Sequence, residues 1–285
     1  MSRPTIPLLS ELRVAGLPTE LQAKWTALCL CLYEIQTALV AFSGGVDSSF
    51  LAFAAARVLE NRMIAATIVS PVDPAAAIEA AVQFARQYNI PHIQIAHNPL
   101  ADASFKANPP DRCYLCKTQM LNVLWRYARD HDISAVLEGQ NADDGLDYRP
   151  GSRAVSESGT LSPLALSKLN KVDIRTLSRA MGLSCWDQPS SPCLATRIPY
   201  GEDITVERLQ QIAEAESFLR QAGFPIVRVR HHGNLARIEI PPAQLTQLLS
   251  CRDAVAIHFK QIGFRHITLD LQGYRLGSFN EGLLS

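Results

Sequence analysis

Apolar residues recur at three- and four-residue steps from about Leu8 to Gln36, with Leu21, Trp25, Leu28, Leu32 and Ile35 in phase. That pattern predicts a long helix with one buried face. Four short unbroken apolar runs follow, Ala38–Phe42, Ile64–Val69, His92–Ala96 and Ala135–Leu137. Between them Ser48–Glu60, Ala75–Tyr88 and Lys117–His131 carry helical period; in the last, Leu121, Leu124, Trp125 and Ala128 share a face. Runs this short and this apolar read as strands covered on both faces. Strand–helix alternation then predicts a parallel sheet with helices on both sides and a ligand site outside the carboxyl ends of the strands.

From Gly139 to about Tyr200 the chain turns rich in Asp, Ser, Pro and Gly, with one helical piece at Val172–Met181. Long irregular segments of this kind are functional or mobile. A new pattern starts at Ile204: a helix to about Ala222, extended runs Ile226–Arg230 and Ala236–Ile240, helices Ala243–Leu249 and Asp253–Ile262, and a last strand His266–Leu271. The expected fold class is therefore α/β. Residues 1–200 form a Rossmann-like parallel-sheet domain with an N-terminal helix and cysteine-bearing loops, and residues 201–285 a smaller α+β domain for substrate binding or oligomerisation. Pro199–Asp203 is the expected joint.

With 47% hydrophobic and 19% charged residues, the 285-residue chain has the composition of a folded protein rather than a disordered one. Lys plus Arg equals Asp plus Glu, 27 each, so the broad positive field of a large nucleic-acid surface is missing. No apolar run nears the roughly 20 residues of a membrane span, and the start lacks the parts of a signal peptide. The expected location is cytoplasmic. Seven cysteines without an export signal argue for reduced thiols with chemical or metal-binding work. Cys29 and Cys31 read as small hydrophobes within the first helix, and Cys185 and Cys251 receive no role.

Ser43-Gly44-Gly45-Val46-Asp47-Ser48-Ser49 stands directly after the first strand and directly before a helix. Two glycines permit a tight turn, helix-start amides point at a ligand, and the hydroxyls of Ser43, Ser48 and Ser49 add donors, which together make an anion cradle. Neither Gly-Lys-Ser/Thr nor Gly-x-Gly-x-x-Gly is present. The stretch resembles the pyrophosphate loop (PP-loop) of the ATP pyrophosphatases, which split ATP between its α and β phosphates and adenylate an acceptor. In that setting Asp47 holds Mg²⁺ against the leaving pyrophosphate.

Cys113 and Cys116 form a C-x-x-C just ahead of a helix, and Cys193 lies far downstream. The pair alone fits a dithiol, half a zinc site, or two ligands of an iron–sulfur cluster. No second C-x-x-C completes a four-ligand zinc site, whereas three thiolates suit a [4Fe–4S] cluster with one open iron, or a nucleophile. Arg112 and Lys117 beside the pair would favour thiolate and cluster charge.

The loop, Glu138-Gly139-Gln140-Asn141-Ala142-Asp143-Asp144 with Asp147-Tyr148-Arg149-Pro150-Gly151, the stretch Trp186 to Gly201, and Val227-Arg228-Val229-Arg230-His231-His232 together resemble the LarE family over nearly the whole chain. These are ATP-dependent sulfur transferases of nickel-pincer nucleotide cofactor biosynthesis. The resemblance implies that ATP adenylates a carboxylate of pyridinium-3,5-biscarboxylic acid mononucleotide, and that sulfur then displaces AMP to give a thiocarboxylate. In sacrificial members the cysteine matching Cys193 gives up its own sulfur. Cys113 and Cys116 depart from that form and match three-cysteine members, thought to hold a [4Fe–4S] cluster carrying a replaceable sulfide. The implied requirements are ATP, Mg²⁺, the cluster and a sulfide source, and family members are homo-oligomers.

Arg197, Arg228 and Arg230 are candidates for gripping the anionic nucleotide substrate, and alternation puts the last two on one side of a strand. Asp143 and Asp144 either hold metal or ATP or cap a turn. Glu216 resembles a family position and also fits a surface helix charge, while His231 and His232 read as strand-end surface residues. Two other readings remain: a tRNA thiolase, which would bring a basic surface or zinc ribbons, and sacrificial sulfur donation from Cys193 itself.

Overall fold

The structure, a computed structural model, describes residues 13–145, 150–189 and 192–275. Its elements in chain order are α1 (Thr19–Tyr33), β1 (Ala38–Ala41), α2 (Val46–Leu59), β2 (Met63–Val69), α3 (Ala75–Gln87), β3 (His92–Ala96), α4 (Ala103–Lys106), α5 (Arg112–Asp130) and β4 (Ala135–Leu137). They continue with α6 (Pro150–Ser158), α7 (Pro163–Leu166), α8 (Lys171–Ala180), α9 (Val206–Gln221), β5 (Arg228–His232), β6 (Leu235–Glu239), α10 (Leu245–Ser250), α11 (Arg252–Gln261) and β7 (His266–Leu269). The chain divides into two compact units. One comprises Met1–Ser70, Ala75–Asn98 and Cys113–Ser191; the other comprises Pro71–Pro74, Pro99–Arg112 and Pro192–Ser285.

The first unit is built on a parallel sheet in the order β3-β2-β1-β4. Side chains alternate across it. Ala38 and Val40 face a layer formed by α1, α2 and α8, with Leu28, Leu32, Phe50, Leu51, Ile174 and Leu177 buried there. Leu39 and Val136 face the opposite layer, packed on Leu121 and Leu124 of α5 and on Ala154 and Val155 of α6. Because β1 leads to β2 on one side and lies beside β4 on the other, the strand order reverses there. The crevice at the carboxyl ends of β1 and β4 is therefore the place for a ligand.

Several expectations are corrected. Helix α1 begins at Thr19, because Gly16 has φ +78° and Pro18 occupies the N-cap; residues 8–12 lie outside the described residues. The edge strand β3 is only partly covered. Helix α5 begins at Arg112, so Cys113 and Cys116 lie inside its first turn and a half rather than ahead of it. The segment read as irregular contains α6 and α7 as well as α8.

The second unit packs α9, α10 and α11 around the sheet β5-β6-β7, in which β5–β6 is antiparallel and β6–β7 parallel. Leu219, Phe224, Val229, Ile238, Phe259 and Phe264 form its centre. Short pieces from earlier in the chain belong to this unit because they bond to it: Leu194 N–H donates to Val72 O at 2.7 Å and Ile204 N–H to Lys106 O at 2.8 Å. Among the described residues no helix is long and apolar enough to cross a membrane.

Candidate active site

The loop after β1 is shaped by two constraints on Gly44. Its φ is +76°, and a Cβ there would sit 3.0 Å from the Ala81 Cβ. No side chain caps α2 at Gly45, which leaves its first-turn amides without a side-chain cap, the arrangement that suits an anion. Ser43 and Ser48 lock the loop, their hydroxyl oxygens 3.0 Å apart and Ser48 Oγ donating to Gly45 O at 3.1 Å. Ser49 departs from expectation. It is fully buried beside the Cys185 thiol, so its hydroxyl serves helix packing rather than the anion cradle. Burial pushes the Cys185 thiol up to about 11 and the Cys29 thiol up to about 12, which fits the inert role read for both.

Asp47 is the centre of this loop. Its Oδ2 accepts from Lys171 Nζ at 2.7 Å and from Asn141 Nδ2 at 3.2 Å, while its Oδ1 is buried with no hydrogen-bond partner. A buried carboxylate oxygen without a donor calls for a cation, so the residues fit Mg²⁺ at this position. Lys171 was missed by sequence reasoning. The Asn170-x-x-Asp173 capping box could have placed it at the first position of α8, but only the packing of α8 on α2 brings it to Asp47.

After β4 the chain runs close against the loop: a Cβ on Gly139 would lie 3.0 Å from Ser48 N. Asp143 Oδ2 accepts from Lys171 N–H at 2.9 Å and Asp144 Oδ2 from Asn141 N–H at 3.0 Å. One oxygen of each thus fixes the turn that presents Asn141. Asp147-Tyr148-Arg149 lies outside the described residues.

On α5, Cys113 is exposed and Cys116 half-buried, its Sγ 3.9 Å from Met120 Sδ. Three residues apart on a helix, the two thiols share a face. The cations expected to favour their charge are engaged elsewhere. Lys117 Nζ pairs at 3.2 Å with buried Glu138, which also accepts from Ser162 Oγ at 2.6 Å and Gln140 N–H at 2.9 Å. The Arg112 guanidinium donates to Asn108 Oδ1.

In the second unit Cys193, half-buried, opens the turn Leu194–Arg197. The Arg197 guanidinium is fully buried: Nε and Nη2 donate to Glu216 at 2.8 and 3.1 Å, and Nη1 to the carbonyls of Pro192 and Cys193 and to Thr196 Oγ1. Expected at the substrate, Arg197 instead holds the cysteine turn on α9. Glu216 is a buried hub rather than a surface charge, accepting also from Arg220 Nη2 at 2.6 Å and from Val229 N–H at 3.1 Å. Arg230 donates to Thr196 O at 3.0 Å and to buried Glu239 at 2.8 Å. Arg228 donates to Val227 O and lies 5.2 Å from the Tyr274 ring centroid. Burial, helped by the Arg197 charge, draws the Arg228 pKa down. Arg197, Arg220, Arg228 and Arg230 thus gather around Glu216 and Glu239, a surplus of positive charge.

His231 is corrected outright. It is a core residue against Phe264, its Nε2 2.9 Å from Gln211 Oε1, and burial lowers its pKa to about 4. Asp73, on the loop bonded to Leu194, was not anticipated; burial pushes its carboxyl up to about 6.

Residues 32–164 match the family model of asparagine synthase. The chain is 35% identical over 264 residues to the pyridinium-3,5-bisthiocarboxylic acid mononucleotide synthase of Lactiplantibacillus plantarum, covering 92% of this chain and 96% of that one. The chain belongs to the LarE family. It is accordingly an ATP-dependent sulfurtransferase enzyme with a PP-loop ATP-binding domain. An uncharacterized protein of Synechocystis is 43% identical over 253 residues, 88% of this chain and 94% of that one. Another, of Methanocaldococcus jannaschii, is 32% identical over 237 residues, 83% and 90% respectively.

Within this LarE protein the ATP loop belongs to the first unit, as does the cysteine pair, while Cys193 and the arginine group belong to the second. Cysteine thiolates are the ligands an iron–sulfur cluster takes. Among the described residues no three His, Cys, Asp or Glu side chains are arranged around a metal-sized site. Ser190 and Ser191, which precede the Cys193 turn, lie outside the described residues.

Proposed function

We propose that the protein adenylates the carboxylates of pyridinium-3,5-biscarboxylic acid mononucleotide and converts them to thiocarboxylates, one sulfur for each ATP cleaved to AMP and pyrophosphate. Asp47 carries this reading: a carboxylate held on one oxygen by Lys171 and Asn141 and unpartnered on the other, inside a PP-loop. Asp47 would hold Mg²⁺, which neutralises charge on the leaving pyrophosphate. The α2 amides and Ser43 bind the phosphate oxygens, and the Lys171 cation stands beside them. Asp143 and Asp144 order the turn on the nucleotide side. Arg228 and Arg230 hold the anionic substrate, with Arg197 and Glu216 setting their backbone and the Cys193 turn.

Cys113, Cys116 and Cys193 would hold a [4Fe–4S] cluster. When bound, it supplies a replaceable sulfide, so the protein turns over instead of consuming Cys193. The departure from the single-cysteine form and the shared face of the α5 pair favour this over sacrifice. The same reading places the protein in the cytoplasm as a homo-oligomer, acting on a small-molecule nucleotide with sulfide from a separate source. A neutral net charge favours that substrate over tRNA.

Anaerobic purification followed by iron and sulfide analysis tests the cluster. Four irons per chain, lost in Cys113→Ala, Cys116→Ala and Cys193→Ala, are expected. No iron, with loss of H₂S from Cys193 after reaction, would mean the sacrificial route.

A further inference from the structure

Strand β1 gives way to the phosphate loop at Phe42, and what holds that junction comes from β2 and β3 of the same unit. Pairing of β1 with β2 ends at Ala41 and Ala66, after which Phe42 N–H still donates to Ala66 O at 2.9 Å. The Phe42 carbonyl is taken by a side chain: Thr67 Oγ1 donates to it at 2.8 Å. On the other side of the same peptide bond, Ser43 N–H donates to Ser48 Oγ at 3.2 Å. The Phe42–Ser43 peptide is thus gripped at both polar ends, and the second grip is on the serine that locks the loop through Gly45 O.

Thr67 is 3% exposed in the interior of β2. Its one hydroxyl proton is spent on Phe42, so the 2.8 Å contact between its oxygen and His92 Nε2 is donated by the histidine. The register sets Ala65 opposite His92, and Thr67, two residues further on, shows its side chain on the same face. Burial lowers the His92 pKa, so at pH 7 the ring is neutral and carries its proton on Nε2. The same ring packs at right angles to Phe42, 5.7 Å between centroids. Two donors in line, His92 to Thr67 to the Phe42 carbonyl, strengthen each other. A hydroxyl inside a sheet is costly unless something requires the geometry it fixes, and the sulfurtransferase reaction as derived above gives neither residue a part.

We propose that Thr67 and His92 are positioning residues for the reaction with ATP: through the Phe42 carbonyl they set the plane of the Phe42–Ser43 peptide, and with it the seat of Ser48 in the loop that receives the pyrophosphate part of ATP. This rests on the phosphate-holding role of the loop argued above. Serine in place of Thr67 keeps the hydroxyl, and valine keeps only the shape. Glutamine in place of His92 keeps a donor near the position of Nε2, and phenylalanine keeps only the ring.

The test measures, by calorimetry with Mg²⁺ present, the binding of ATP, inorganic pyrophosphate and AMP to full-length wild type, Thr67→Val, Thr67→Ser, His92→Phe and His92→Gln, with the melting temperature read on each. ATP and pyrophosphate should bind roughly five- to tenfold more weakly to Thr67→Val and His92→Phe, with AMP affinity unchanged and most of the loss recovered in Thr67→Ser and His92→Gln. A general loosening of the sheet would weaken AMP as well. Should Thr67→Val fail to fold, the half-buried His92 pair carries the same comparison. ATP and pyrophosphate affinities equal to wild type, losses shared equally by AMP, or no recovery in the conservative variants would overturn the positioning role. Wild type that binds AMP but not pyrophosphate would overturn the phosphate-holding role of the loop, and the positioning role with it.

Discussion

Asp47 shows how little of a site is carried by one residue alone. The carboxylate could be expected from the loop; its ion pair with Lys171 and its unpartnered oxygen could not, because both depend on where α8 lies. Asp47→Asn keeps the shape and removes the charge, and pyrophosphate release should fall on the order of 100-fold with the melting temperature nearly unchanged. Lys171→Met should lower it about tenfold or more by leaving Asp47 without its cation. A variant that released pyrophosphate at the wild-type rate would remove that residue from the mechanism.

His231 gives a pH dependence of definite sign. Folded, it stays neutral down to about pH 4, whereas the unfolded side chain takes up a proton near pH 6.5. Acidification therefore favours unfolding, by roughly 3 kcal/mol once pH has passed below both values. In urea unfolding at pH 7 and pH 5, His231→Gln should lose about 2 kcal/mol less than wild type between the two pH values. Equal losses would mean that His231 is protonated in the folded protein. The sequence misled here because strand ends are commonly wet, and only Phe264 and Gln211 closing over the ring bury it.

At the scale of elements, the four parallel strands were legible because a strand buried in a parallel sheet has little freedom in composition. β3 and β4 fall on the expected residues, and β1 and β2 within one. Helix α6 was hidden: Gly, Ser and Arg dominate it, and among its described side chains only Ala154 and Val155 are buried, too few to set a period. The early start of α5 was hidden because the cysteine pair read as a loop motif. Helix α8 was expected at nearly its true bounds, and its cap makes a prediction. Asn170→Ala should cost about 1 kcal/mol in stability, with most of it kept in Asn170→Ser. A loss of pyrophosphate release in the alanine variant would report displacement of Lys171. Gly139→Ala should weaken ATP binding about tenfold, because its methyl group meets the Ser48 amide proposed to bind the phosphates. Unchanged ATP affinity would show that the loop has room to yield.

For the molecule as a whole, the sequence pattern pointed to a large α/β part and a small α+β part, but not to the pieces 71–74 and 99–112 that group with the latter. Their membership depends on hydrogen bonds such as Leu194 to Val72 and Gly201 to Asn108, which leave no periodic trace. The helix-start amides proposed to hold the phosphates belong to one unit, and the arginines proposed for the substrate belong to the other, where Arg230 is held by buried Glu239.

The most direct measurement supplies purified protein with ATP, Mg²⁺, sulfide and pyridinium-3,5-biscarboxylic acid mononucleotide, and follows AMP and the mass of the nucleotide product. The account predicts exchange of carboxylate oxygen for sulfur, one AMP for each sulfur, more than one product per chain with Cys193 intact, and on the order of 100-fold slower product formation with Asp47→Asn. AMP formation with no sulfur in the nucleotide would contradict it.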